Sequence, residues 1–312
     1  MRTHSEAHVD LRERKDQERS VTSKMTSGPA ISVLLPVHNG GRYLRQALDS
    51  VVEQTFRDWE LIVVLDRCTD DSYEISLEYQ KLYRVKIMCT SAVHGLAAAL
   101  NVGLSACDAP LVARLDADDI CINSRLERQH ALFQSDSDLG LLGTSAILIN
   151  ASGEVVGQRV VRGTPREMER SLLWRNQFIH SSVMFRADAV ISIGGYDIER
   201  RKTQDYDLWL RLLGRTQLRN IPEPLIYYRI HPGQDTVGPI LLSGGIRGLN
   251  TTRHNASVRL GLNLASGVVR SVAWIVAQGL GDIYRLVSPH SYSVYAAAAA
   301  KLRVTGVGRP RC

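Results

Sequence analysis

Residues 111–130 read LVARLDADDICINSRLERQH. An apolar strand, residues 111–115, runs into Asp116-Ala117-Asp118-Asp119, and an amphipathic helix follows. In extended backbone, residues two apart point the same way. Asp116 and Asp118 are therefore expected to aim both carboxylates at one spot beyond the strand's end. Hard oxygen donors in that arrangement suit Mg²⁺ or Mn²⁺, and a cation held by few protein carboxylates completes its shell with phosphates and water. The other reading is a solvated acidic turn in which Asp118 or Asp119 caps the next helix. The tetrapeptide alone leaves both open.

The flanking sequence alternates strand and helix. Residues 31–35 (ISVLL) form a buried-strand run before Pro36, and Tyr43, Leu44, Ala47, Leu48 and Val51 recur at helical spacing. Residues 60–65 are a second strand ending at Asp66, after which Asp70 or Asp71 can cap a helix over 72–83. A third strand over 85–88 and a helix containing 96–100 lead to the strand at 111–115. This order predicts a parallel, doubly wound α/β sheet, in which ligands bind beyond the strands' carboxyl ends. Pro36, Asn39, Asp66, Asp116 and Asp118 all fall there. Downstream, the pattern predicts a helix to about 135, a strand over 139–149 and a turn at 150–153. A helix over 165–175, extended chain over 180–186, a turn at 194–197, a helix over 204–213 and a strand over 225–231 follow. No GxGxxG or GxxxxGK[ST] occurs, which removes the main support for a dinucleotide dehydrogenase or a P-loop NTPase.

The chain has 312 residues, is 44% hydrophobic and carries a net charge of +6. The surplus is uneven. Residues 1–28 hold 6 Lys/Arg and 5 Asp/Glu, residues 232–312 hold 9 and 2, and the segment between holds 23 and 25. The middle is thus net acidic, which argues against nucleic-acid binding. The basic tail can meet an anionic membrane surface. The expected organisation is a disordered extension at 1–28, a catalytic-size domain at 29–232 with halves 29–120 and 121–232, and a basic helical extension at 233–312. Five scattered cysteines favour reduced thiols. The first 28 residues lack an apolar h-region, and Arg270 and Asp282 interrupt the apolar stretch at 260–287. These features predict a cytoplasmic protein, peripheral at the inner membrane face.

ISVLLPVHNGGRYLRQALDSVVEQTFRDWELIVVLD, followed by HGLAAALNVGLSACDAPLVARLDADD, resembles the nucleotide-binding half of glycosyltransferase family 2. INSRLERQ, FIHSSVMFR, GGYD, QDYDLWLRL and IPEPLIYYRIH resemble its bacterial surface-polysaccharide branch. The resemblance spans roughly residues 30–232. It implies a GT-A fold, a UDP-, GDP- or dTDP-sugar donor, a saccharide or lipid-linked saccharide acceptor, a divalent metal and inversion at the anomeric carbon. It further implies that Asp116, Asp118 and His231 hold the metal. Pro36, Asn39, Asp66, Arg114, Asp116 and His180 would line the donor site, and Asp205 would be the catalytic base. Absence of a QxxRW motif implies one sugar per acceptor rather than polymerisation.

Alternatives remain beside each assignment. Asp205 can be a first-turn acid favoured by the helix dipole, and Asp207 is the other candidate base. The family's usual pair of acids before Gly-Ser is replaced here by Leu65-Asp66-Arg67-Cys68, so Arg67 either pairs with Asp66 or approaches the nucleotide, and the base is not assigned. A sugar-phosphate nucleotidyltransferase and an inactive nucleotide-sugar-binding scaffold are the competing functions.

Overall fold

The computed structural model describes residues 28–161, 165–200, 202–231, 246–262 and 276. Four apolar runs form the parallel part of the sheet: β1 (Ile31–Val37), β2 (Trp59–Leu65), β3 (Val85–Cys89) and β4 (Leu111–Arg114), in the order β3-β2-β1-β4. Ile31 lies opposite Trp59 on one side and Leu111 on the other. The turns after β1, β2 and β4 therefore open along one edge.

Helices α1 (Gly41–Val52), α2 (Ser72–Gln80) and α3 (Leu96–Ala106) connect these strands. Alternation along each strand sorts its side chains between two cores. Val33, Leu35, Leu61 and Val63 pack with Leu44, Leu48 and Val51 of α1, while Leu34, Ile62, Val64 and Val112 pack with Leu100 and Leu104 of α3. A sheet covered on both faces needs continuous apolar strands, and these have them. Gly103 lets α3 approach closely: a Cβ there would stand 2.1 Å from Leu34 Cδ1.

Beyond β4 the sheet becomes mixed. In chain order the remaining elements are β5 (Ile120–Cys121), α4 (Arg125–Ser135), β6 (Leu139–Ile149), β7 (Val155–Arg159) and α5 (Pro165–Leu172). They continue with β8 (Met184–Arg186), α6 (Ala187–Ile191), α7 (Gln204–Leu212), β9 (Gln217–Arg229) and α8 (Ile246–Arg259). β8 runs antiparallel to both β4 and β6, β6 and β9 are parallel, and β5 returns antiparallel to β9.

Three local expectations differ. Residues 180–186 are not wholly extended: His180–Ser182 form a 3₁₀ turn before β8. Ser182 explains this, because its Oγ and N–H both bond the Ile179 carbonyl, a local side-chain bond that competes with the ladder. β9 starts at Gln217, well before 225, despite Pro222 and Pro224. Its register against β6 slips between Thr144/Ser145 and Ser145/Ala146, and such a bulge accommodates residues that cannot donate. The two-residue β5 and the hairpin strand β7 are too short for periodicity to reveal.

The expected disorder at 1–28 lies almost wholly outside the described residues, as does most of 233–312. Within that extension, however, α8 is packed on the domain. Leu249 and Ala256 are fully buried in the α3/α7 core, and Arg259 donates to the Leu210 and Leu213 carbonyls near the end of α7.

Candidate functional site

The residues after β4 leave the sheet in a turn closed by Asp119 N–H to the Asp116 carbonyl at 3.2 Å. The turn, not strand alternation, gathers the acids. It brings in a third: oxygens of Asp116, Asp118 and Asp119 lie within 4.8 Å of one another. Neither Asp118 nor Asp119 caps α4, whose N-cap is Ser124. Asp119 accepts the Arg229 backbone N–H at 2.7 Å through Oδ1, and its buried Oδ2 has no partner. Asp118 Oδ2 meets His231 Nε2 at 2.9 Å. The Asp116 backbone N–H bonds Ser181 Oγ, and its carboxylate pairs with the guanidinium of Arg114.

Crowding acids away from water disfavours their charged forms. Burial raises the Asp119 carboxyl well above the usual range, and Asp116 and Asp118 push it further. Burial also raises Asp116; Arg114 opposes the shift, while Asp118 and Asp205 add to it. A divalent cation would relieve this repulsion. The unpartnered Asp119 oxygen and the oxygen-plus-imidazole donor set fit Mg²⁺ or Mn²⁺.

Arg229 holds the turn from behind. Its Nε donates to the Asp118 carbonyl at 2.9 Å, Nη1 to the Asn150 carbonyl and Nη2 to Gln46 Oε1. The guanidinium lies 4.3 Å from the Tyr43 ring centroid, and the His231 ring stands 5.4 Å from the same ring. His231 lies two residues past β9, a strand flanked by β6 and β5, so it is not at the sheet's edge.

On the neighbouring strand ends, Pro36 is buried within β1, and the turn after it touches the acidic turn: a Cβ on Gly40 would lie 3.2 Å from Ala117 Cβ. Asn39, with φ of 50°, accepts the Thr69 N–H at 2.8 Å and so ties the β1 turn to the β2 turn. Asp66 accepts Thr90 Oγ1–H at 2.6 Å and Gly95 N–H at 2.8 Å, fixing residues 90–95 at the start of α3. Arg67 is exposed, with φ of 50°, and makes no ion pair with Asp66. Asp71 is the N-cap residue of α2 without a side-chain cap bond, while the preceding Asp70 accepts the Ser72 N–H through Oδ1 and the Gly41 N–H through Oδ2.

Asp205 lies in the first turn of α7, whose Trp209 is fully buried. Its Oδ1 accepts the Tyr206 N–H at 2.7 Å and its Oδ2 accepts Asn176 Nδ2–H at 2.6 Å. Burial raises this carboxyl, while the two hydrogen bonds, Arg114 and Arg159 restrain the shift. Asp205 also adds electrostatically to the rise at Asp116. Asp207 is buried and binds Arg211 at 2.7 Å and Thr252 at 2.8 Å, joining α7 to α8. His180 contacts the Tyr196 hydroxyl at 3.1 Å and packs edge-on to Trp209. Burial, with Arg114 alongside, pushes its pKa well below the ordinary value. Arg114 is itself buried, with Nε and Nη1 unpartnered.

A sequence profile described as Glycosyl transferase family 2 matches residues 32–194, just over half of the chain. The chain belongs to glycosyltransferase family 2. The O-antigen biosynthesis glycosyltransferase WbnJ of Escherichia coli is 34% identical over 208 residues, covering 64% of this chain and 80% of WbnJ. S. aureus TarS 1-349, solved with UDP-GlcNAc, superposes with a TM-score of 0.61 at 18% identity, over 78% of this chain and 71% of TarS 1-349. The mannosyltransferase PcManGT from Pyrobaculum calidifontis, solved with GDP-Man and Mn2+, gives 0.52 at 17% identity over 89% and 88%. This family 2 glycosyltransferase therefore has the GT-A fold.

Asp205 and His231 lie beyond the profile's match, yet the fold of this glycosyltransferase returns His231 to the β4 turn, where it meets Asp118. Sequence reading missed Asn176, Ser181 and Arg229, and took Asp119 only as a cap. The run of acids contained a signal for Asp119, and Ser181 and Arg229 lie within the FIHSSVMFR and IPEPLIYYRIH motifs, whereas Asn176 lies outside every motif. Among the described residues, no helix is long and apolar enough to cross a membrane.

Proposed function

We propose that this glycosyltransferase is metal-dependent and inverting. It would move one sugar from a UDP-, GDP- or dTDP-sugar to a hydroxyl of a saccharide or lipid-linked saccharide during cell-surface polysaccharide assembly. The observation that carries this reading is Asp205: a carboxylate outside the acidic cluster, in the first turn of α7, with its oxygens held by the Tyr206 N–H and by Asn176 Nδ2–H. Inversion needs such separation, because the acceptor attacks opposite the departing diphosphate. Asp205 would take the acceptor's proton as the new bond forms.

Asp116, Asp118 and His231 would hold Mg²⁺ or Mn²⁺, with Asp119 adjoining. A cation bound there supplies Lewis-acid stabilisation of the leaving diphosphate. The Mn2+ in PcManGT supports this choice, and the nucleotide sugars in PcManGT and TarS support the donor class. The name of WbnJ supports the polysaccharide setting. Arg114, with two unpartnered N–H groups, would donate to the donor's oxygens, and His180 would line the donor site. Pro36, Asn39 and Asp66 would shape the nucleotide end. The basic residues after α8 support a position against an anionic membrane face.

The test offers the full chain a panel of UDP-, GDP- and dTDP-sugars with Mn²⁺ or Mg²⁺, measuring nucleotide release and thermal stabilisation. Wild type should release nucleotide from one donor only with the metal present. Asp205→Asn should lose at least ~100-fold in turnover while still being stabilised by metal and donor. Undiminished turnover by Asp205→Asn would remove Asp205 as the base. Donor binding without turnover in the wild type would favour the inactive scaffold.

A further inference from the structure

Asn176 lies between α5 and the 3₁₀ turn, and its side chain is held at both ends. Its Oδ1 accepts the Phe178 backbone N–H at 3.0 Å, which turns Nδ2 towards Asp205, where it donates to Oδ2 at 2.6 Å. The amide orientation thus follows from the network, since the reverse would set an N–H against another N–H. Phe178 is buried, with its ring 5.8 Å from Trp209, and Trp209 lies one turn along α7 from Asp205. The segment that carries Asn176 is therefore packed on the helix that carries its acceptor. The opposite carboxylate oxygen is fixed by the Tyr206 N–H.

We infer that Asn176 is a positioning residue: its amide fixes the rotamer of the Asp205 carboxylate and stabilises its ionised form, leaving one lone pair on each oxygen for an incoming hydroxyl. This rests on Asp205 being the base. A carboxylate oxygen accepts about two hydrogen bonds, so one bond from the protein leaves room for substrate. A donated hydrogen bond favours the charged carboxylate against burial. The other groups facing Asp205 are Arg114 of β4 and Arg159 of β7, which favour its charge, and Asp116 and Tyr196 nearby.

Two variants separate positioning from packing. Asn176→Leu keeps the branched shape but presents no amide donor to Asp205, whereas Asn176→Ala removes both. Positioning predicts that kcat for the donor found in the panel falls about tenfold or more in both. KM for that donor and the midpoint for Mn²⁺ should stay within about twofold. The acid limb of kcat should move upward by about one pH unit in both. A packing role predicts a near-normal Asn176→Leu and an impaired Asn176→Ala. Wild-type kcat and an unshifted acid limb in Asn176→Leu would overturn the inference. If Asp205→Asn turns over normally, the assignment of the base has failed instead, and the two failures are distinct.

Discussion

Arg229 and Asp119, 110 positions apart, meet where the Arg229 backbone N–H donates to Asp119 Oδ1 at 2.7 Å. The same arginine bonds the Asp118 carbonyl, Asn150 and Gln46, so one buried side chain fixes the acidic turn against β9 and α1. Groups that orient metal ligands typically alter affinity by ~10–100-fold when removed. Arg229→Lys keeps the charge but loses the planar fork, and it should weaken Mn²⁺ binding by about tenfold or more. Calorimetric titration of the full chain with Mn²⁺ checks this; an unchanged dissociation constant would contradict it.

The acids also set a pH dependence. Folding raises the carboxyls of Asp119 and Asp116, chiefly by burial. A group whose proton is held more tightly in the folded state contributes stability below the unfolded acid's range, and that contribution disappears as pH rises through the folded value. Without metal, these two acids should therefore cost stability on going from acid to neutral pH. A cation binds only their ionised forms, so its stabilisation should grow over the same interval. Melting scans with and without Mn²⁺ from about pH 5 to about pH 8 should diverge; convergence would count against the cluster.

Asp207 separates stability from chemistry. It is buried and bound to Arg211 and Thr252. Asp207→Asn should lower stability by about 2 kcal/mol, less than for a fully buried pair because Arg211 is partly exposed. The activity of the folded fraction should match wild type. Denaturant unfolding alongside turnover tests this, and a catalytic loss without destabilisation would reinstate Asp207 as the base.

Asp66 spends a bond from each oxygen on Thr90 and Gly95. Asp66→Ala should release residues 90–95, seen as faster amide exchange there, and should raise donor KM more than it lowers kcat. Exchange at wild-type rates with a raised KM would instead assign Asp66 to the nucleotide alone.

The basic tail is testable on its own terms. Residues 263–312 contain six Lys/Arg and one Asp/Glu. Full chain should co-sediment with phosphatidylglycerol vesicles at low salt but not at high salt, and not with phosphatidylcholine alone. Equal binding to both lipids would overturn the electrostatic contact.

Much of the parallel part of the fold was legible in sequence because its signals are local. Buried strands must be continuously apolar, helix α1 repeats its apolar face, and both periods survive in print. The acidic turn was legible in composition but not in geometry: alternation paired Asp116 with Asp118, whereas a backbone bond from Asp119 to Asp116 brings in a third acid. β7 and β5 escaped notice because so few residues carry no period. Residues 180–186 departed from strand because a serine hydroxyl offered the backbone a nearer partner.

By itself the sequence determined the strand–helix alternation through β4, the family, and the acids at the end of β4. Periodicity and motif spacing are properties of neighbouring residues. Only the tertiary structure decided that Asp207 turns to α8, that His180 packs between Tyr196 and Trp209, that Asn176 bonds Asp205, and that Arg229 bonds the acidic turn. Those outcomes depend on burial and on hydrogen bonds between residues up to 110 positions apart, which no local pattern contains.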